Sequence, residues 1–383
     1  MSGCRSSAPA LRSSLRRLTT ASLLGVLLAA GCGAALAPDG ARLTALEPEL
    51  GSLFLVGFGG TEAVGNPDPA RLFCELRVGA VLLLGRNIVD SDQLTRLTGA
   101  LTTQSAACTS RKLLVAVDAE GGTVMRLAPK FGWPATFSAQ ELGATNDFVL
   151  TELQARRIGA MLRVVGINWD LAPVVDVGYN PANPVIVGAA RSFGANPRLV
   201  TEHARAFVQG LRAEGVLTAL KHFPGHGSSF DDTHRGFTDV TDTASPELEL
   251  APYRALIADG LADSVMTAHV FNKRLDERYP ATLSRPTVSG LLRGELGFKG
   301  PVVSDDLRMG AIERQYGIGE AAVLALDAGV DMLLIVDDLL PDGSSATQLA
   351  LAAIKRALSN GTLDPARVEA ALERVRAFRS RLP

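Results

Sequence analysis

The sequence predicts an α/β fold, a single (β/α)8 TIM-type barrel with extra C-terminal helices. Eight short apolar runs occur between residues 53 and 336, and segments with helical spacing separate most of them. Continuous apolar strands that alternate with helices are typical of a parallel sheet covered on both faces. Eight such repeats favour a closed barrel, and an open, doubly wound sheet is the alternative.

The predicted strands are apolar runs bounded by glycine, proline or polar residues, a pattern that favours buried strands. In chain order they cover residues 53–58, 79–84, 113–117, 167–171, 216–220, 264–268, 301–304 and 332–336. Because the chemistry of such barrels lies at the carboxyl ends of the strands, the residues that follow each run are the candidates for function.

The predicted helices carry start signals. Asp90 begins a capping sequence, and Pro197 follows Asn196 at a first-turn position. Between the strands, one helix is predicted to start at residue 90, and four others cover residues 150–165, 196–214, 246–261 and 289–296. Two more helices, 348–358 and 364–382, follow the eighth strand. We expect these last two on the barrel exterior, and we expect no second domain.

Length and composition favour one large domain. The chain has 383 residues, of which 47% are hydrophobic, and this is ample for a barrel that we place at residues 46–383. The formal net charge is −2 and no basic patch is visible, so the sequence argues against a nucleic-acid partner.

The N-terminus predicts export. Several arginines precede the apolar run 21–30, which is too short for a comfortable membrane span. Residues 28–32, Leu-Ala-Ala-Gly-Cys, resemble a bacterial lipobox. We therefore expect a signal peptide at 1–31, lipidation of Cys32 and a flexible spacer at 32–45. The product would be a cell-envelope lipoprotein held to the membrane by its lipid; the alternative is secretion after cleavage at Ala37.

Two cysteines remain in the predicted mature chain, Cys74 and Cys108. In an oxidising compartment they would be able to pair, whereas two buried free thiols are the alternative. The sequence leaves both possibilities open.

A polar stretch follows the fifth predicted strand. It runs from Lys221-His222-Phe223-Pro224-Gly225-His226-Gly227 to Asp232-Thr233-His234 and holds three of the five histidines of the chain. A turn does not need lysine, three histidines and two aspartates together. We interpret the stretch as an active-site loop in which Asp232 orients His234 and favours its protonated form, as suits a general acid.

The spacing of this stretch resembles the signature of family 3 glycoside hydrolases, in particular their β-N-acetylglucosaminidase branch. The resemblance implies that Lys221 and His222 bind the sugar. It extends to Asp118-Ala119-Glu120-Gly121-Gly122 after the third strand and to the Ala-Arg-Ser-Phe-Gly string around Arg191. By the same match Asp118 and Arg126 would bind sugar hydroxyls or each other, and Arg191 would contact the substrate.

Two acids, Asp305 and Asp306, follow the seventh strand. Adjacent residues of a strand point to opposite faces, so at most one faces the barrel mouth. The resemblance assigns Asp305 as the nucleophile and leaves Asp306 a structural role. Asp176 and Asn180 are weaker candidates for the site, because residues in such positions more often have a structural role. His269 would support the site residues without contacting the substrate.

The resemblance implies retaining hydrolysis of terminal β-linked N-acetylglucosamine, and the predicted export adds the expectation that peptidoglycan fragments are the carbohydrate partners. Asp305 would attack the anomeric carbon, and His234 would replace the second carboxyl group that such enzymes usually carry. No cofactor or metal is implied. Alternatives are a β-glucosidase-type or phosphorolytic family 3 enzyme, and a sugar-binding lipoprotein without catalysis. A metal-dependent barrel hydrolase is also possible, with ligands drawn from His222, His226, His234, His269 and Asp305.

Overall fold

The computed structural model of the protein describes residues 40–382. The predicted signal peptide, Cys32 and the first part of the predicted spacer lie outside these residues. A short helix, α1 (Gly40–Leu46), covers the end of the segment in which we expected a flexible spacer. Within residues 40–382, no helix is both long enough and apolar enough to cross a membrane.

The core is an eight-stranded parallel sheet, and its strands coincide with the eight predicted runs. In chain order the strands are β1 (Phe54–Gly57), β2 (Ala80–Leu83), β3 (Leu114–Val117), β4 (Trp169–Asp170), β5 (Leu217–Phe223), β6 (Ser264–Thr267), β7 (Val302–Val303) and β8 (Leu333–Ile335). Each strand pairs with its sequence neighbour, β1 also pairs with β8, and a bridge between Val303 and Met332 joins β7 to β8. The predicted barrel is thereby confirmed, and the open sheet is excluded.

The helices surround this sheet. They are α1, α2 (Pro67–Ala70), α3 (Ser91–Thr109), α4 (Ala139–Thr145), α5 (Phe148–Val164), α6 (Pro197–Ala213), α7 (Pro246–Ala258), α8 (Gly310–Ala328), α9 (Ala346–Ser359) and α10 (Pro365–Arg379). The predicted caps are present, since Asp90 accepts from the backbone of Gln93 at 2.8 Å and Asn196 from that of Arg198 at 2.9 Å. Helix α8 was not predicted. Gly317, with φ 64°, interrupts it and obscures its periodicity.

Helix α10 lies across the amino-terminal end of the barrel, not on its exterior as we expected. Arg374 and Arg381 pair with the buried carboxylates of Asp331 and Asp263, at 2.8 and 2.5 Å. The ring of Phe378 meets that of Trp169 in β4 edge-on, with 5.2 Å between centroids. These partners stand at or just before strand starts, so α10 closes the end opposite to the strand carboxyl termini. Helix α9 packs on α8.

A disulfide joins Cys74 to Cys108, with 4.9 Å between their Cα atoms. It links the turn Arg71–Glu75 to the end of α3. Of the two possibilities that the sequence left open, the structure has the paired one.

Candidate active site

A cleft of about 300 Å³ opens at the carboxyl ends of the strands. Seven of the predicted site residues line it, namely Asp118, Arg126, Arg191, Lys221, His222, His234 and Asp305. Lys221 and His222 belong to the last part of β5, and the others come from the segments after β3, β4, β5 and β7. The fold brings all seven together at one end of the barrel. The eighth predicted residue, Asp232, contacts His234.

One wall of the cleft is a buried network of four charges. The Nζ atom of Lys221 lies 2.8 Å from Asp118 Oδ1 and 2.6 Å from Glu120 Oε1. Arg191 donates to both oxygens of Glu120 at 2.8 Å. Buried charges are costly unless they are paired, and here two cations face two anions.

The charges shift each other's pKa. Burial alone would raise the pKa of Glu120, but Arg191 and Lys221 outweigh it and hold that pKa well below its usual range. Burial would lower the pKa of Lys221, and the carboxylates of Asp118 and Glu120 raise it instead. Glu120, Arg191 and Lys221 therefore stay charged at neutral pH. Arg126 extends it, with its Nη2 atom 3.4 Å from Asp118 Oδ2.

Glu120 is a residue that the sequence reasoning missed. It lies in a small hairpin after β3, Ala119–Gly121 paired with Val124–Met125, and its side chain is only 5% exposed. Gly121 and Gly122 turn the chain with positive φ angles of 96° and 58°. Asp118 and Glu120 are two residues apart, a spacing that puts both side chains on one side of an extended segment. That spacing is the feature of the sequence from which Glu120 could have been predicted as a site residue.

His222 is held by Asp176, which the sequence ranked only as a weaker candidate. Its Nδ1 atom lies 2.7 Å from Asp176 Oδ2, and its Nε2 atom lies 3.3 Å from Arg191 Nη2. Asp176 also accepts from the backbone of His226 at 2.8 Å. Burial would raise the pKa of Asp176, but the two histidines lower it. Asp176 thus orients His222 and fixes the start of the loop.

The loop that carries His234 is held at both ends. Asn180 donates to the carbonyls of Ser228 and Ser229 at 3.1 and 2.9 Å. At the other end, Gly310 N donates to His234 O at 3.3 Å, and Ala311 N donates to Thr233 O at 3.2 Å. The loop therefore crosses from β5 to the start of α8 and places His234 at the cleft.

His234 and Asp232 form a pair at the rim. The Nδ1 atom of His234 lies 2.7 Å from Asp232 Oδ1, and that oxygen also accepts from the His234 backbone at 2.9 Å. Burial would raise the pKa of Asp232, but the hydrogen bonds from His234 lower it. The imidazole is 62% exposed. An ionised carboxylate thus orients an imidazole that substrate and water can reach.

Asp305 follows β7 and presents a carboxylate to the cleft. Its Oδ1 atom accepts from Asp306 N at 2.8 Å, and its own N–H donates to Thr267 O at 3.2 Å. Burial alone would raise the pKa of Asp305, but the imidazoles of His269 and His222 outweigh it, so the pKa lies below its ordinary value. An ionised carboxylate is the form that a nucleophile needs.

The two neighbours of Asp305 have structural contacts. Asp306 accepts from the backbone of Val336 at 3.1 Å and from that of Arg308 at 3.2 Å, and burial raises its pKa to about 6. His269 lies between Thr282 Oγ1 at 2.8 Å and the carbonyl of Asp306 at 2.9 Å. Burial lowers the pKa of His269, and its two hydrogen bonds support the strand end.

The cleft therefore combines an ionised carboxylate, a carboxylate-bound imidazole at the rim and a wall of fixed donors and acceptors. Among the residues that the structure describes, no group of three or more His, Cys, Asp or Glu side chains is arranged to hold a metal ion. Both ring nitrogens of His226, one of the ligands in the metal-dependent alternative, bond to Thr233 and Ser229 at 3.1 and 2.8 Å.

Comparison with known proteins identifies the family of the chain. β-Hexosaminidase A of Pseudoalteromonas piscicida is 32% identical over 96% of this chain, and the match spans 62% of that relative's length. β-Hexosaminidase LpqI of Mycobacterium tuberculosis is 39% identical over 72% of this chain and 74% of its own. The solved structure of a family 3 β-N-acetylglucosaminidase from Paenibacillus sp. FPU-7 superposes with a TM-score of 0.82 at 38% identity, covering 88% of this chain and 62% of that one. Residues 46–378 match the glycosyl hydrolase family 3 N-terminal domain, and the chain belongs to this family.

Proposed function

We propose that the protein is a retaining β-N-acetylhexosaminidase that releases terminal, non-reducing β-linked N-acetylglucosamine. The observation that carries the proposal is the convergence of Asp305 and the His234–Asp232 pair on one cleft in a family 3 chain. Its relatives are named β-hexosaminidases, and its structural neighbour is named a β-N-acetylglucosaminidase.

In the first step Asp305 attacks the anomeric carbon and forms a glycosyl-enzyme while the bond to the leaving oxygen breaks. His234, protonated and oriented by Asp232, gives its proton to that oxygen. In the second step neutral His234 takes a proton from water, the water oxygen bonds to the anomeric carbon, and Asp305 is released. One imidazole thus serves as acid and then as base.

The surroundings of the other two cleft histidines, His222 and His226, favour His234 as the acid and base. Burial lowers the pKa of His226 to about 4, so its imidazole is uncharged at neutral pH and is not the general acid. His222 is buried between Asp176 and Arg191, where it would bind and orient the sugar. His234 is the most exposed of the three and has a carboxylate at its Nδ1 atom.

Sugar binding falls to the charged wall. Asp118, Arg126, Arg191, Lys221 and His222 present hydrogen-bonding groups whose positions are set by their mutual contacts before substrate arrives. Groups fixed in advance cost less to order on binding, so the wall favours one ring orientation. No cofactor takes part in the proposed reaction.

We place the enzyme in the cell envelope, anchored through lipid on Cys32, with peptidoglycan fragments as its natural substrates. The sequence before residue 40 motivates the location, and the Cys74–Cys108 disulfide is compatible with an oxidising compartment. Incorporation of labelled palmitate into the wild-type chain, lost in Cys32→Ser, tests the anchor. Equal labelling of both proteins would contradict it.

The reaction is tested by trapping the intermediate. A 5-fluoro N-acetylglucosaminyl fluoride slows both steps, so a covalent adduct should accumulate, and mass spectrometry of digested protein should locate it on Asp305. The Asp305→Asn variant should take no label. Label on another residue would refute the nucleophile assignment, and release of N-acetylglucosamine with inverted configuration would refute the retaining mechanism.

A further inference from the structure

Glu249 is a buried carboxyl group that the proposed reaction does not use. It lies in the first turn of α7 and is 5% exposed. Within residues 40–382 it forms no ion pair, and its neighbours around a small cavity, such as Leu250 and Asn272, are uncharged. A buried carboxyl group without a cation is costly, and groups of this kind are concentrated at functional sites.

Tyr179, in the segment after β4, is the hydrogen-bond partner of Glu249. Its hydroxyl oxygen lies 3.1 Å from Glu249 Oε1 and 3.2 Å from the carbonyl of Thr243, and it accepts from Ser245 N at 3.0 Å. A phenol has one proton to donate, so the two acceptors compete for it. An ionised Glu249 is the stronger acceptor, because hydrogen bonds to charged groups are stronger than those to neutral ones.

The residue after Tyr179 holds the loop that carries His234. Asn180 donates to the carbonyls of Ser228 and Ser229, at 3.1 and 2.9 Å, near the start of that loop. Because Tyr179 and Asn180 are adjacent, the position of the tyrosine hydroxyl restricts the backbone from which the asparagine reaches the loop. A contact made at Glu249 is thereby passed to the loop.

Glu249 also packs directly on the start of the loop. Gly225, two residues after the end of β5, has a φ angle of 147°. A Cβ atom added to it would lie 2.6 to 2.7 Å from Cβ, Cγ and Cδ of Glu249. The side chain of Glu249 therefore lies against the bare backbone of Gly225, and it contacts the loop start there as well as through Tyr179.

The groups around Glu249 bring its ionisation close to neutral pH. Tyr179 and Asp176 face it from the segment after β4, and Tyr253 lies one turn further along α7. Burial raises the pKa of Glu249 to about 7; Asp176 adds to the rise, and the hydrogen bond from Tyr179 limits it. The carboxyl group is therefore mostly protonated at about pH 5.5 and mostly ionised at about pH 8.

We propose that Glu249 is a positioning residue for acid–base catalysis, and that its ionised carboxylate seats the loop of His234 through Tyr179. Protonation of Glu249 leaves the Tyr179 hydroxyl to the carbonyl of Thr243 and loosens that seat. Glu249 is not among the residues that line the cleft, so it acts through other residues. The inference rests on the proposed function, because it concerns the proton transfer by His234.

The test compares the wild type with Glu249→Gln across pH, because glutamine resembles the protonated carboxyl group in shape and does not ionise. Phenyl N-acetyl-β-glucosaminide has a poor leaving group that needs the proton of His234, whereas the 2,4-dinitrophenyl glycoside needs none. For the phenyl glycoside, the wild-type-to-variant ratio of kcat/KM should rise from near one at about pH 5.5 to about fivefold at about pH 8, the difference between a charged and a neutral acceptor. The ionisation of His234 is common to both proteins and cancels in this ratio.

The dinitrophenyl glycoside distinguishes positioning from a general structural role. Its kcat/KM ratio should stay near one at every pH, whereas general damage to the site would lower both substrates alike. Glu247→Gln is the matched control, since Glu247 is an exposed residue of the same helical turn that accepts from Ser245 Oγ at 3.3 Å. It should leave both ratios near one.

Two further variants complete the experiment. Glu249→Asp retains an ionisable group, so its kcat/KM on the phenyl glycoside should again rise relative to that of Glu249→Gln between the two pH values. Should Glu249→Gln fail to fold, Tyr179→Phe removes the donor instead. It should lower the phenyl-glycoside kcat/KM about fivefold at about pH 8 and leave the dinitrophenyl value unchanged.

The results that overturn the proposal differ from a failure of the proposed function. If the dinitrophenyl glycoside is cleaved but the phenyl-glycoside ratio does not change with pH, the ionisation of Glu249 does not seat the loop, and the hydrolase stands. If both substrates lose activity equally, Glu249 supports the whole site and not the acid–base step, and the proposal is wrong. If no N-acetylglucosaminide is cleaved, the proposed function fails, and the inference fails with it.

Discussion

Replacement of Glu120 by glutamine tests whether the charged wall is a single balanced unit. Glu120 accepts three short contacts, one from Lys221 at 2.6 Å and two from Arg191 at 2.8 Å. Without its charge, Asp118 alone faces two buried cations, and one positive charge is left without compensation. Breaking a buried pair costs about 3–5 kcal/mol. Glutamine keeps one acceptor oxygen, so we expect a loss of about 3 kcal/mol in the free energy of unfolding.

Urea denaturation followed by circular dichroism measures this loss. Glu152→Gln is the matched control, because Glu152 pairs with Arg156 at 2.8 Å on the exposed face of α5, and it should change stability by less than about 1 kcal/mol. Equal effects of the two substitutions would refute the reasoning, since burial is the difference between the pairs.

The pH dependence provides a second check on Glu120. Its pKa in the folded protein lies below the ordinary value of 4.5, because Arg191 and Lys221 outweigh burial. A carboxyl group with a depressed pKa stabilises the fold fully above its unfolded-state pKa, and the contribution is lost as the pH falls towards the folded-state value. The stability difference between wild type and Glu120→Gln should therefore be equal at pH 6 and pH 8 and smaller near pH 3.

Three further predictions concern other parts of the molecule. His234→Ala should lower kcat/KM on glycosides with poor leaving groups by about 10²- to 10⁴-fold and far less on 2,4-dinitrophenyl glycosides, which need no acid; equal losses on both would contradict an acid role. Cys74→Ser removes the disulfide that closes a loop of sequence separation 34, and it should lower the free energy of unfolding by up to about 4 kcal/mol. Thermal or urea unfolding measures this loss, and reducing agent should produce the same loss in the wild type. Burial raises the pKa of Asp170 to about 8, so the folded state holds a proton that the unfolded state releases, and stability should fall as pH rises from about 4 to 8. Asp170→Asn should flatten that decline in urea titrations at pH 5 and 7.5; an unchanged slope would mean that Asp170 is ionised in the fold.

The sequence alone determined the barrel and the order of its elements. A strand of a parallel sheet is covered on both faces, so the strands lie in predominantly apolar runs, and these runs are visible without any structure. The helix starts at Asp90 and Asn196 were also predictable from the sequence, because a cap bonds to residues only two or three positions away. Where local signals failed, as at the Gly317 kink in α8, the helix was missed.

The sequence identified the residues of the candidate site but not the contacts between them. The residues after β3, β5 and β7 were identifiable because motif spacing is a property of the chain. The contacts that give them their chemistry were not, since Asp176 and His222 are 46 positions apart and Asp118 and Lys221 are 103 apart.

Only the tertiary structure decided which buried charges neutralise each other and where α10 lies. Glu120 acquires its place from Lys221 and Arg191. Helix α10 crosses the barrel end because Asp263 and Asp331, which lie just before β6 and β8, both present carboxylates there. Charge pairing acts over a few ångströms in space and is independent of distance along the chain. Hydrophobic periodicity is a property of residues that are close in the sequence. The pairing of buried charges depends on residues that come together only when the barrel closes.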